Sequence, residues 1–282
     1  MHIQILIHHM QSIMSTALSF PLSLADQIDP YLPASKDVNN KNVENRNLPW
    51  VTLTFATSLD SALSLKPGVQ TILSGPVSKA MTHHLRSFHN AILVGVSTAV
   101  ADDPGLNCRI DTIINADAKR HPIPIILDPH ARWEINANSR VIKTAKEGKG
   151  RAPFIIVSSS VDSNVIQSRW ELLRQHGGGY LHLNTDETEK FKWGDVLSIL
   201  QDRLKIESVM IEGGGSIINS LLEDERSRYL VDSVIVTIAP TWLGKGGVVV
   251  SPERKGDDYV PPRLRDVKWI PMGQDVVLCG RL

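Results

Sequence analysis

From Pro49 to the C-terminus, short β-branched or aliphatic runs alternate with amphipathic stretches, and this alternation limits the fold more than any other feature of the chain. The strand candidates are "WVTLTFA", "AILVGV", "IPIILD", "PFIIVSS", "YLHL", "SVMIEG" and "SVIVTIAP", with a last one near "QDVVLCGRL". Between them lie helix candidates. "PVSKAMTHHLRSF" places Val77, Met81 and Leu85 on one face, "NVIQSRWELLRQHGGG" ends on a glycine stop, and "WGDVLSILQDRL" repeats Val196, Leu197, Leu200 and Leu204. Strands alternating with helices of this length predict an α/β fold with a mostly parallel sheet and helices on both faces. No long helical pattern separates the last two strands, which predicts antiparallel strands at one edge.

Residues 15–48 are rich in proline, asparagine and charge, a composition that buries too little apolar surface to offset the entropy of ordering. The expected division is therefore a flexible arm over 1–48, with "YLP" as an anchor that docks on the body, and a single domain over 49–282. The first residues, "MHIQILIHHMQSIM", have no positive flank, and their apolar run falls short of the roughly 20 residues a membrane helix needs. Met14 is an alternative start. Thirty basic residues balance thirty acidic ones, which argues against a nucleic-acid or membrane-surface partner, since both are held mainly by positive charge. Cys108 and Cys279 form no disulfide framework and no paired-cysteine zinc site, which fits a reducing compartment.

In a parallel sheet, ligands bind outside the carboxyl ends of the strands. Four strand ends here are rich in polar groups: Thr57, Ser58 and Asp60; Ser97, Thr98, Asp102, Asp103, Asn107 and Arg109; Ser158, Ser159 and Ser160; and Glu212 followed by Gly213, Gly214, Gly215 and Ser216. The last has the clearest physics. Glycines between a strand and a helix let backbone N–H groups approach a ligand, and the helix start is partially positive, so a phosphate is the expected guest. The spacing matches neither the dinucleotide fingerprint nor a Walker loop. Glu212 beside such a cradle is unfavourable unless it serves a ligand donor or a proton transfer. Arg109 carries a fork suited to holding a phosphate, whereas Arg86 in the last turn of its helix has the helix dipole as an equal explanation. His83, His84 and His89 lack metal-ligand spacing and read as surface or hydrogen-bonded histidines, so no metal is expected.

Together, "VTLTFATSLDSALS", "ILVGVSTAVADDPGLNCR", "IILDPHARW", "IEGGGSIINSLL" and "VIVTIAPTWLG" resemble the diaminohydroxyphosphoribosylamino-pyrimidine reductases of riboflavin biosynthesis. The likeness is to the stand-alone fungal form and to the reductase half of the bacterial bifunctional deaminase-reductase. It implies a dihydrofolate-reductase-like α/β fold, a cytoplasmic homodimer, and NADPH as donor for reduction of a ribosylamino-pyrimidine phosphate. It also implies roles. Thr98, Asp102, Ser158 and the run Gly213, Gly214, Gly215, Ser216 and Ile217 fall to the cofactor, with Ser158 and Ser159 not separable. Arg86, Asn107, Arg109 and Glu212 fall to the substrate, and Asp60 or Glu212, or water held by one of them, to ring opening or proton transfer. Ser61 stands where many relatives have glycine or alanine. No H-x-E with a downstream P-C-x-x-C occurs, so the zinc deaminase activity of the bifunctional proteins is not expected. Another pteridine or dihydrofolate-type reductase and a non-catalytic nucleotide-binding protein are the rival readings.

Overall fold

The computed structural model describes residues 17–33, 47–111, 120–254 and 261–282. Its core is a nine-stranded sheet ordered β10-β11-β8-β1-β7-β3-β4-β5-β6. The strands are β1 (Trp50–Thr57), β3 (Ala91–Gly95), β4 (Ile123–Leu127), β5 (Phe154–Ser158), β6 (Gly179–Leu183), β7 (Ser208–Glu212), β8 (Ser233–Ile238), β10 (Arg265–Met272) and β11 (Asp275–Arg281). The run from β8 to β6 is parallel throughout, and β11 pairs antiparallel with β8 and with β10. This is the expected mostly parallel sheet with an antiparallel edge. A short pair, β2 (Ala62–Ser64) with β9 (Val248–Val249), stands apart from it.

The pleat sorts the apolar residues onto two faces. Val51, Leu53, Leu93, Ile125, Val209 and Ile211 pack with Val196, Leu197 and Leu200 of α6 (Trp193–Leu204) and with Ile218 and Leu221 of α7 (Gly215–Glu223). On the opposite face Ile92, Val94, Ile126 and Ile155 meet α3 (Val96–Asp102), α4 (Arg140–Lys146) and α5 (Ser163–Gln175). Met210 and Ile235 on that face meet Met81 and Leu85 of α2 (Pro76–Ser87). Near-continuous aliphatic strands are what burial on both faces demands.

Tyr31 and Leu32 of "YLP" dock on the body as expected, but the ordered part of the arm extends well beyond them, over residues 17–33. There the chain forms α1 (Leu22–Ile28) and a single 3-10 turn, and it buries Phe20, Ala25, Ile28, Tyr31 and Leu32 against α2 and β11. Polar contacts lock it: the Tyr31 hydroxyl donates to Asp266 O at 2.5 Å and Arg281 Nη2 donates to Pro30 O at 2.6 Å. Five apolar side chains were enough to dock a segment whose average composition reads as disordered. Residues 1–16 and 34–46 of the expected arm lie outside the described residues.

Candidate active site

The chain runs from β1 through α2 to β3, continues outward to β6, and returns to insert β7 between β1 and β3. At such a reversal of strand order the loops at the carboxyl ends diverge and leave a crevice. Here it is a cleft of about 2060 Å³, lined by Thr98, Asp102, Arg109, Glu212, Gly214 and Ile217 among others.

Two helices start at this cleft without a capping side chain. α3 follows β3 directly, with Gly95 in the N-cap position; α7 has Gly214 there. The first intrahelical bond of α7 runs from Ile218 N–H to Gly214 O at 3.1 Å. The N–H groups of Gly215, Ser216 and Ile217 precede it, and these are the donors a helix start leaves for a ligand. The turn needs its glycines. Gly213 and Gly214 have φ of 55° and 79°, and a Cβ on Gly215 would lie 2.4 Å from Val248 Cγ1. Thr98 faces the turn, its Oγ1 3.1 Å from where a Gly214 Cβ would stand. Asp102 closes α3, half-buried in the cleft wall, and burial raises its pKa.

The cationic wall is built from α2 and the loop after α3. Arg86 reaches across to the end of β7, where Nε and Nη2 donate to the two Glu212 carboxylate oxygens at 2.8 and 2.7 Å. Its Nη1 donates to Asn107 O at 2.9 Å, so this guanidinium is already well occupied. Asn107 in turn donates from Nδ2 to Lys149 O at 2.8 Å, which ties the loop to the segment after α4. Arg109 has a different environment: among the described residues its guanidinium hydrogen-bonds only to the ring of His83, and its pKa is lowered by burial and by the nearby Arg86 and Arg140. Of the two expectations for His83, surface or hydrogen-bonded, the second holds: it is bonded to Arg109 and buried in the wall of the site.

Two expected site residues stand elsewhere. The Asp60 carboxylate accepts from Ser58 Oγ, from Leu243 N–H at 3.1 Å and from Gly244 N–H at 2.8 Å. Those donors, Ser58 first, pull its pKa down to about 2, and Asp60 is not among the residues that line the cleft. The adjoining Ser61 holds φ at 61°, a conformation glycine adopts freely and serine does not. Ser158 is buried, its Oγ engaged with Ser160 Oγ at 2.8 Å, and it does not line the cleft either. That end of the cleft carries instead His130, Arg132, Lys190 and Lys192. Nothing in the strand-end pattern marked these cations, because they sit several residues past β4 and β6. Among the described residues, no group of three or more His, Cys, Asp or Glu is arranged to hold a metal ion.

Residues 49–278 match the model of the RibD C-terminal domain. The chain is 39% identical over 267 residues to the 2,5-diamino-6-ribosylamino-4(3H)-pyrimidinone 5′-phosphate reductase of Eremothecium gossypii, covering 93% of this chain and 98% of that one. The protein of the same name from Saccharomyces cerevisiae is 38% identical over 252 residues, covering 89% and 92%. Among solved structures, the riboflavin biosynthesis reductase Rib7 of Saccharomyces cerevisiae superposes with a TM-score of 0.71 at 34% identity, covering 92% of this chain and 99% of that one. The RibD protein of Acinetobacter baumannii shares the fold with a TM-score of 0.62 at 22% identity, covering 85% of this chain and 60% of that one. The architecture is dihydrofolate-reductase-like, as these neighbours are.

Proposed function

The chain belongs to the RibD C-terminal domain family, and on that premise we propose that it reduces the ribosylamino side chain of 2,5-diamino-6-ribosylamino-4(3H)-pyrimidinone 5′-phosphate to the ribitylamino product, with NADPH as donor. The observation that carries the reading is the pairing, in one cleft, of an uncapped helix start with an arginine that no carboxylate among the described residues neutralises. Two separate phosphate anchors suit a phosphorylated cofactor and a phosphorylated substrate bound side by side.

NADPH, when bound, supplies the hydride for C1′ of the opened ribosylamine. The residues fit that guest through their donors: the N–H groups of Gly215, Ser216 and Ile217 for a pyrophosphate, behind the turn of Gly213 and Gly214, with Thr98 and Asp102 facing it. The cations Arg132, Lys190 and Lys192 favour the 2′-phosphate that distinguishes NADPH from NADH. Arg109 is assigned the ribose phosphate, with Asn107 and Arg86 shaping the loop around it. Glu212 keeps lone pairs beyond the two that Arg86 uses, so it holds a substrate N–H or O–H in register with the cofactor. Asp60, with its carboxylate committed to the loop after β8, is assigned to holding that loop and not to proton transfer.

The compartment is assigned as cytoplasmic and the assembly as a homodimer. Edge strand β10, with Val267 44% and Trp269 59% exposed, supports a partner surface. No helix among the described residues is long and apolar enough to cross a membrane. The test is cofactor oxidation by the purified protein with the pyrimidinone phosphate and, separately, with dihydrofolate, each against NADPH and NADH. Oxidation of NADPH with the first substrate alone is expected; none with that substrate overturns the reading.

A further inference from the structure

His83 lies three residues before Arg86 on α2, hence on the same helix face, and is 3% exposed. It meets Arg109 twice. Nδ1 is 3.0 Å from the Arg109 backbone nitrogen, and Nε2 is 3.3 Å from Nε and 3.1 Å from Nη2 of the guanidinium. A backbone amide and a guanidinium only donate, whereas a neutral imidazole has one lone pair. The ring is kept neutral, since burial first, then Arg86, Arg109 and Lys79, push its pKa down to about 2. It therefore satisfies one of the two Arg109 groups and adds no negative charge. Arg109 O accepts from Leu18 N–H at 2.8 Å, so the docked arm fixes the backbone at the same residue. Arg86, a turn further along the helix, has its charge cancelled by Glu212; Arg109 pairs with no carboxylate among the described residues.

We infer that His83 is a positioning residue for Arg109: its one lone pair, whether it takes the backbone N–H at Nδ1 or the guanidinium at Nε2, holds Arg109 in the cleft without neutralising it, so that the substrate's phosphate meets a preset cation that no carboxylate among the described residues cancels. This rests on the assignment of Arg109 to the substrate phosphate. A carboxylate in its place would hold the fork equally well but cancel its charge. An aliphatic residue would keep the charge but free the fork, while a glutamine amide would offer a neutral acceptor at similar reach.

The test is steady-state kinetics of His83→Leu, His83→Glu and His83→Gln, with the substrate and NADPH each varied while the other is saturating, together with calorimetric binding of ribose 5-phosphate and of ribose. Leu and Glu are expected to raise the substrate KM about tenfold, equivalent to ~1.4 kcal/mol. Gln should rescue KM to within about threefold, with kcat and the KM for NADPH changing about twofold or less in all three. Ribose 5-phosphate binding should weaken in His83→Leu and in Arg109→Ala alike, with ribose binding unaffected. An unchanged KM, or equal losses in kcat and cofactor affinity, would overturn the inference. If His83→Leu does not melt cooperatively, the Glu and Gln variants decide, and equal KM values for those two overturn it. Failure of the unaltered protein to oxidise NADPH with the substrate would refute the proposed function instead. Ribose 5-phosphate binding would then still judge the contact between His83 and Arg109.

Discussion

Replacing Glu212 with leucine removes one half of a contact that lies mostly out of water. The Arg86 and Glu212 side chains are 14% and 16% exposed, and both guanidinium bonds to the carboxylate are 2.8 Å or shorter. An exposed ion pair contributes only about 0.2–1 kcal/mol. Stripping a buried pair of one partner costs about 3–5 kcal/mol, because the remaining charge is left without compensation. Their exposure places Arg86 and Glu212 near the second case. For a chain of this size about 2–4 °C of melting temperature follows each kcal/mol, so Glu212→Leu should melt ~6–20 °C lower. Arg86→Met should lose a similar amount. The double variant, with no orphaned charge, should lose less than the sum by ~2–3 kcal/mol, retaining a deficit because Asn107 O no longer receives its 2.9 Å bond. The assay is thermal unfolding without ligand, followed by circular dichroism, for the four members of the cycle. Single-variant losses that add to within about 0.5 kcal/mol would refute the claim that the two side chains act as one buried unit.

Gly214→Ala forces a side chain into a backbone at φ 79° with its Cβ 3.1 Å from Thr98 Oγ1. A cost of ~1–2 kcal/mol is expected, and a fluorescence titration should show weaker NADPH binding than that of an alanine placed at Gly148, which has open space around it. Asp60, with a pKa brought from 3.8 to about 2, favours the folded loop above pH 4, and that contribution fades as pH falls toward 2. The fluorescence difference between the unaltered protein and Trp242→Phe should report loosening of the loop in that window and show no such step in an Asp60→Asn background. Arg132→Ala should reduce the preference for NADPH over NADH in kcat/KM more than Ser158→Ala does; the reverse order would return the serine run to the cofactor.

The sheet was legible because burial on both faces leaves almost no polar residue to confuse the reading: "AILVG" and "IPIIL" are buried at every position. Strand β10 was not. Its residues 265–269 are exposed on both faces, so "RDVKW" has no alternation to detect. α3 is absent from the helix candidates because "VSTAVAD" is short and rich in β-branched residues, and it forms where β3 delivers it to the cleft. The glycine cradle announced itself locally, since backbone conformation and helix start are encoded in adjacent residues. The partnerships that shape the other wall were invisible for the opposite reason. Arg86 with Glu212 is a contact across 126 positions, and His83 with Arg109 one across 26. A helix residue three positions before a cleft arginine was the only local hint that His83 belonged there.

The clasp between the early arm and the last strand also dictates when the molecule can finish folding. Pro30 and Tyr31 receive Arg281 and Asp266 as partners only after a further 251 and 235 residues have been made. At about 5–20 residues per second, the arm emerges from the ribosome on the order of 10–50 s before its partners do. During that interval Ile28 and Leu32 have no β11 to cover them, and the nascent protein must carry exposed apolar surface.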